Sequence, residues 1–185
     1  MDNKITNIKR RLHKPIVLIG LMGVGKTQLG RIVAKELGVK FVDSDDEIVK
    51  AAGMPISDIF EKFGEEYFRA GERRVIKRLM EDDSAVIATG GGAVTSPETA
   101  DLLWSEALSV WLNADIDVLC QRTAGHTKRP LLNNNDPRAV LQKLSDERTP
   151  LYQKANIHID TGNGSLSKMK DEILSRVESY LQEQE

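Results

Sequence analysis

The sequence predicts one α/β domain with a five-stranded parallel sheet and helices on both faces. Three observations lead there. Short apolar bursts alternate with segments of helical period along the whole chain. The first burst, Ile16-Val17-Leu18-Ile19, is apolar throughout, as expected of a strand buried on both faces. The 185 residues, 40% of them hydrophobic, suffice for one domain with a sizeable core, and neither a repeat nor a linker divides them.

The first 14 residues read as a polar, mobile N-terminal arm, leaving residues 15–185 as the domain. Ile16-Val17-Leu18-Ile19, bounded by Pro15 and Gly20, is the first strand. Leu29, Ile32, Val33 and Leu37 recur with helical period, and Gly38 ends that helix. Lys40-Phe41-Val42 is a short second strand running into acids. A helical region follows from about Asp45 to Met80, broken around Gly53-Met54-Pro55 and at Gly64. Ala85 to Ala88 forms the third strand and leads into Gly90-Gly91-Gly92. Ser96-Pro97-Glu98 opens a helix, with serine as cap and proline in the first turn. Leu108 to Leu112 is the fourth strand, after which Asp115 caps a helix to about Arg122. Thr123 to Asp136 is polar and asparagine-rich, and reads as a mobile loop. Asp136-Pro137 opens the next helix, Asn156 to Ile159 is the last strand, and Leu166, Met169, Ile173, Val177 and Leu181 stripe a C-terminal helix.

Composition removes several classes of function. The formal charge of −2 argues against a nucleic-acid binder. The nine-residue apolar stretch Ile16–Val24 is far short of the roughly 20 residues a membrane helix needs. His13, His126 and His158 lack metal-ligand spacing. Cys120 is the lone cysteine, which excludes an internal disulfide and suits a cytoplasmic protein.

In sheets of this kind, ligands bind beyond the carboxyl ends of the strands. The first strand ends in Gly20-Leu-Met-Gly23-Val-Gly25-Lys26-Thr27, which is G-x-x-x-x-G-K-[ST] between a strand and a helix. Its glycines let backbone N–H groups turn inward on phosphate oxygens, and the helix N-terminus adds positive potential. Lys26 supplies a cation to the outer phosphates and Thr27 a hydroxyl to Mg²⁺. From average composition, the motif arises by chance in roughly 0.6% of chains this long. The class is therefore a single-domain P-loop fold that binds a nucleoside triphosphate.

After the second strand, Asp43 and Asp45 project to one side of an extended segment. One suits the metal and the other an acceptor hydroxyl; helix capping by Ser44 or Asp45 is the plainer role. The third strand lacks a terminal acid, which leaves Asp43 as the acidic partner of Mg²⁺, directly or through water. Three consecutive glycines at Gly90-Gly91-Gly92 suit a ligand close to the backbone. Arg69 pairs with Glu65 or Glu72 at helical spacing, or binds an anion. Arg129, beside Pro130 in the polar loop, suits closure over phosphates.

Together these pieces resemble the shikimate kinases. The resemblance spans residues from about 14 to 160. It rests on GLMGVGKTQLGR, FVDSDDEI, IFEKFGEEYFRAGE, ATGGGAV, RPLL near Arg129 and ERTPLY near Arg148. It implies ATP-dependent phosphorylation of the 3-hydroxyl of shikimate, in the route to aromatic compounds, with ATP, shikimate and Mg²⁺ as ligands. It implies a lid at about 123–136 and a monomer that engages neither nucleic acid nor membrane. Asp45 would orient the acceptor hydroxyl and accept its proton, with Lys26 and Arg129 as its catalytic companions. ATP would lie along Gly23, Val24, Gly25, Lys26, Thr27 and Gln28, with Arg122 packed on adenine and Arg129 over the phosphates. Arg69 and Arg148 would take the shikimate carboxylate, with Gly90, Gly91 and Gly92 lining the ring. Phe60 and Phe68 serve the pocket wall or the core. The family often has a basic residue after the last strand, where this chain reads Asp160-Thr-Gly-Asn-Gly-Ser165. Alternative readings are another small P-loop kinase, such as a gluconate kinase, a kinase for an amino analogue of shikimate, or a sensor without turnover. The last would often lack Lys26 or Asp45.

Overall fold

A computed structural model describes residues 2–81, 85–124, 136–162 and 164–184. Five strands, β1 (Ile16–Ile19), β2 (Lys40–Asp43), β3 (Ala85–Ala88), β4 (Leu108–Asn113) and β5 (Ile157–Asp160), form one parallel sheet in the order β2-β3-β1-β4-β5. Every residue of β1 is buried, which explains its unbroken Ile-Val-Leu-Ile. Ile16 pairs with Val86 on one side and Leu108 on the other. The chain leaves β1 toward β2 and β3, then crosses to β4 on its far side. The crevice at the carboxyl end of β1 is therefore where a ligand should sit.

Eight α-helices occur among the described residues. They are α1 (Asp2–Arg11), α2 (Lys26–Leu37), α3 (Ser44–Ala52), α4 (Ile56–Leu79), α5 (Pro97–Glu106), α6 (Ile116–Thr123), α7 (Pro137–Tyr152) and α8 (Leu166–Glu183). Helix α2 packs on β1, β2 and β3, while α8 packs on α2 and β5. Gly53 ends α3, its N–H donating to the Val49 carbonyl at 2.9 Å. The break expected at Gly64 is present: φ of 80° and ψ of 176° interrupt α4 there.

Two local expectations differ from the structure, besides Ser96 and Asp115, which take the N-cap positions of α5 and α6 without a side-chain capping bond. The residues expected as a mobile arm contain α1, which docks on α8. Ile8 has 0% exposure, Lys4 Nζ donates to Ser175 Oγ at 2.6 Å, and Asn7 Nδ2 donates to Glu178 Oε1 at 3.2 Å. Ile5, Ile8 and Leu12 form a short helical stripe, hidden by the polar residues around it. The other difference is the cap of α3. It is Asp43, whose Oδ1 accepts the Asp45 N–H at 3.1 Å, rather than Ser44 or Asp45. Asp136 does cap α7, accepting from the Arg138 N–H at 3.0 Å.

Candidate active site

The turn from β1 to α2 starts at Gly20, where φ is 137° and a Cβ would lie 2.2 Å from the Leu112 carbonyl oxygen. No other residue fits there without moving β4. Beyond it the chain curls through Gly23 to Gly25, which enters α2 in the left-handed conformation. Lys26 Nζ lies across the turn, donating to the carbonyls of Gly20 at 2.7 Å and Leu21 at 2.9 Å. Its ammonium is thus held where a phosphate chain would pass. Thr27 Oγ1 donates to Asp43 Oδ2 at 2.8 Å. Asp43 therefore uses one oxygen on the P-loop threonine and the other on the helix cap.

This turn opens into a cleft of about 800 Å³. Residues 22–29 line it together with Asp43, Asp45 and Thr89–Gly91. Arg122 and, from α8 and the segment before it, Gly164, Leu166 and Met169 close the remaining side. Val24 and Gln28 belong to this lining. Leu166 and Met169 do too, although helical period alone assigns them to a packing stripe. Met169 is buried while Leu166 remains exposed, so the stripe runs from the core to the cleft lip.

Asp45 projects from the first turn of α3 into the same cleft. Burial pushes its carboxyl pKa up, and the neighbouring Asp43 charge adds to that effect, while the Lys26 ammonium opposes it. A carboxylate so placed holds a proton more readily than a solvated aspartate does. Its nearest support is the glycine triplet: a Cβ at Gly90 would lie 2.8 Å from Asp45 Oδ1 and 3.3 Å from Glu72 Oε1. Buried Ser44 anchors this point, accepting from the Gly90 N–H at 3.2 Å.

The two arginines approach the triplet from different helices. Arg69, on α4, lies so close to Gly92 that a Cβ there would meet its NH2 at 2.6 Å. Both pairings allowed by its helical spacing occur, with Glu72 at 2.7 Å and Glu65 at 3.2 Å. Glu72 is only 1% exposed, against 67% for Glu65, so the Glu72 pair is the one shielded from solvent screening. Burial pushes the Glu72 pKa up, and the Arg69 hydrogen bond pulls it back. The Arg69 guanidinium also lies 5.2 Å from the Phe68 ring centroid, and Phe68 packs against Phe60 at 4.5 Å. Phe68 is buried and Phe60 exposed, so the pair links core to surface beside Arg69. Arg148, on α7, has NH1 within 3.5 Å of a Cβ placed on Gly91.

On the opposite side of the cleft, Arg122 NH2 donates to the carbonyls of Thr161 at 2.6 Å and Gly162 at 2.5 Å. Its plane is fixed against the segment after β5. After the last strand, where the family often has a basic residue, Thr161 and Gly162 thus supply backbone carbonyls. Lys26, Thr27, Asp43, Asp45, Arg122, Gly90 and Gly91 line one cleft, whereas Gly92, Arg69 and Arg148 are not part of its lining, Arg69 lying against Gly92 and Arg148 against Gly91. Arg129 and most of the expected lid lie outside the described residues. Sequence reading missed the burial of Glu72 and the part of Tyr152, whose hydroxyl donates to the Gly91 carbonyl at 2.5 Å. The signals were present: Glu72 follows Arg69 by three residues and Tyr152 follows Arg148 by four, both on one helical face.

A phosphate cradle at the topological switch point, facing a carboxylate beside an arginine-flanked glycine turn, defines a P-loop phosphotransferase for a small anionic acceptor. Comparison with known proteins narrows the class. A family model described as shikimate kinase matches residues 22–178. A shikimate kinase of Novosphingobium aromaticivorans is 45% identical over 184 residues, covering 97% of this chain and 95% of that protein. One from Caulobacter vibrioides is 49% identical over 150 residues, covering 81% and 75%. The structure of shikimate kinase from Acinetobacter baumannii in complex with shikimate superposes with a TM-score of 0.88, at 37% identity, covering 94% of this chain and 97% of that one. The chain belongs to the shikimate kinase family. A gluconokinase from Sinorhizobium meliloti, at 18% identity and a TM-score of 0.61, shares the fold alone.

Proposed function

We infer that the chain transfers the γ-phosphoryl group of ATP to the 3-hydroxyl of shikimate, releasing ADP, in aromatic amino acid biosynthesis. One observation carries this reading. Asp45 stands in the cleft between the cradle's Lys26 and the arginine-flanked glycine triplet, where acceptor and donor must meet.

Each residue then has a physical role. The cradle N–H groups and Lys26 bind and orient the phosphates. The Arg69 and Arg148 guanidinium groups form charge-assisted hydrogen bonds with the acceptor carboxylate, ideally forked. Gly90, Gly91 and Gly92 leave room for the ring. Asp45 aligns the 3-hydroxyl and takes its proton as the new oxygen–phosphorus bond forms and the bond to ADP breaks. Its upward-shifted pKa suits an acceptor of that proton. Arg122, its plane fixed by two carbonyls, offers a flat face to the adenine ring.

Thr27 Oγ1 and Asp43 Oδ2, in direct contact, are hard oxygen donors that fit Mg²⁺, which takes few protein ligands and completes its shell with phosphate and water. When bound there, Mg²⁺ neutralises charge on the outer phosphates. Among the described residues no cluster of three or more His, Cys, Asp or Glu could hold a metal without such help.

We further propose that residues 123–136 act as a lid carrying Arg129 to the transferring phosphoryl group, and that the enzyme is a cytoplasmic monomer. A lone cysteine supports the compartment. No described helix is long and apolar enough to cross a membrane. The functional test is ADP release over a panel of polyols and hydroxy acids, including an amino analogue of shikimate. Release independent of shikimate would overturn the assignment, and faster release with the analogue would reassign the acceptor.

A further inference from the structure

Tyr152 closes α7 one turn after Arg148, and its side chain is 1% exposed. The ring stacks on Trp111 of β4, with centroids 6.0 Å apart and planes at 25°. A phenylalanine would fill the same space and make the same stack. The hydroxyl therefore adds only its hydrogen bonds, and it donates one to the Gly91 carbonyl at 2.5 Å. Arg148 lies one turn earlier on the same helix, with its NH1 3.5 Å from a Cβ placed on Gly91, the residue whose carbonyl the hydroxyl holds; burial pushes the phenol up to about 12, and the Arg148 charge acts against that rise. Gly91 is where three parts of the site meet. A Cβ there would be 3.5 Å from Arg148 NH1, 3.3 Å from the Gly20 carbonyl oxygen and 3.7 Å from the Met22 nitrogen. A run of glycines has no side chains with which to hold itself in place. Its anchors must come from neighbours, and Ser44 on Gly90 and Tyr152 on Gly91 are two of them.

We propose that Tyr152 is a positioning residue: its hydroxyl ties the Gly91 carbonyl to the Arg148 guanidinium, so that turn and cation receive the acceptor as one unit. The proposal rests on the assignment of Arg148 to the acceptor carboxylate. Tyr152 does not touch the reacting atoms. It sets the register between the acceptor's ring contacts and its charge contact.

The test is Tyr152→Phe in the full chain, alone and with Arg148→Ala, measured by ADP release and thermal melting. A buried acceptor deprived of its donor weakens an equilibrium by about tenfold. The KM for shikimate should rise by about that factor, while the KM for MgATP stays within about twofold. The double variant should lose less than the product of the single losses, because both act through one contact. A merely structural tyrosine would instead move both KM values together, in step with any loss of melting temperature. That result, an unchanged KM for shikimate, or fully multiplicative losses would overturn the proposal. Wild-type shikimate use by Arg148→Ala would refute the carboxylate assignment and with it the Tyr152–Arg148 tie.

Discussion

Replacing Asp45 by asparagine keeps the volume and removes the charge, and the structure predicts opposite effects on rate and stability. The fold should survive, because the α3 cap uses the Asp45 N–H and the Asp43 carboxylate. The rate should not. A positioned general base contributes about 10²–10⁴-fold, or about 3–5 kcal/mol of barrier. MgATP binding should be nearly intact, since the cradle is made by residues 20–27. For stability, the folded carboxyl has a pKa above its unfolded value, chiefly through burial. That preference for the protonated form stabilises the fold fully below the unfolded pKa and is lost as pH rises through the folded pKa. Asparagine resembles the protonated form at every pH. Its stability relative to the parent should therefore grow as pH rises above about 4 and level off once the parent's Asp45 is ionised. Steady-state kinetics, nucleotide titration and melting curves from about pH 4 to pH 8 test both halves. A kcat within about threefold of the parent would remove Asp45 from the chemistry. A variant less stable than the parent at neutral pH would refute the burial argument.

Asp43→Asn should raise the Mg²⁺ concentration needed for half-maximal rate, because it takes a charge from the oxygen pair formed with Thr27; metal titrations on this variant and on Asp45→Asn would expose a swapped assignment. Arg69→Ala and Arg148→Ala should each lower kcat/KM for shikimate about 10- to 150-fold, at roughly 1.5–3 kcal/mol per charge-assisted bond. An acceptor without the carboxylate should lose less, and equal losses would make the arginines structural. Gly92→Ala should raise the KM for shikimate without changing that for MgATP, since its Cβ would meet Arg69 NH2 at 2.6 Å; an unchanged KM would show that Arg69 can step aside harmlessly. Arg129→Ala should lower kcat more than it raises the shikimate KM, with partial recovery in Arg129→Lys, and hydrogen exchange over residues 123–136 should slow when both substrates are bound. A wild-type kcat for Arg129→Ala together with unchanged exchange would leave the segment an ordinary surface loop.

The parallel sheet was legible because its inner strands β1 and β3 are apolar on both faces, and the cradle because its chemistry depends on backbone at fixed spacing. Ile16–Ile19 and Gly20–Thr27 are contiguous, so no tertiary information was needed. The pairing of Asp45 with the triplet was harder to read. It depends on β2 and β3 lying side by side, with Asp43 opposite Ala88, a register that strand propensity does not encode. Capping by Asp43 escaped notice for a related reason. Asp43, Ser44 and Asp45 all carry capping side chains, and the choice among them follows from where β2 stops. Glu72 looked like half of a surface pair because helical spacing says nothing of burial. Helix α1 was lost in a short polar segment whose apolar stripe has value only when α8 is present to receive it.

That last contact affects the order in which the enzyme is made. Helix α1 leaves the ribosome first, yet the surface it covers belongs to α8, about 150 residues later in the chain. At about 5–20 residues per second, the first helix waits roughly 8–30 s for its partner. During that interval Ile8 has no α8 on which to dock. The wait also covers the nucleotide cleft, because Leu166 and Met169 of the same late helix line it. A nascent chain stopped before residue 166 would carry a complete phosphate cradle but lack one side of the nucleotide cleft. The cleft is thus completed only once α8 has been made, and a chain stalled before it would make a poor competitor for ATP.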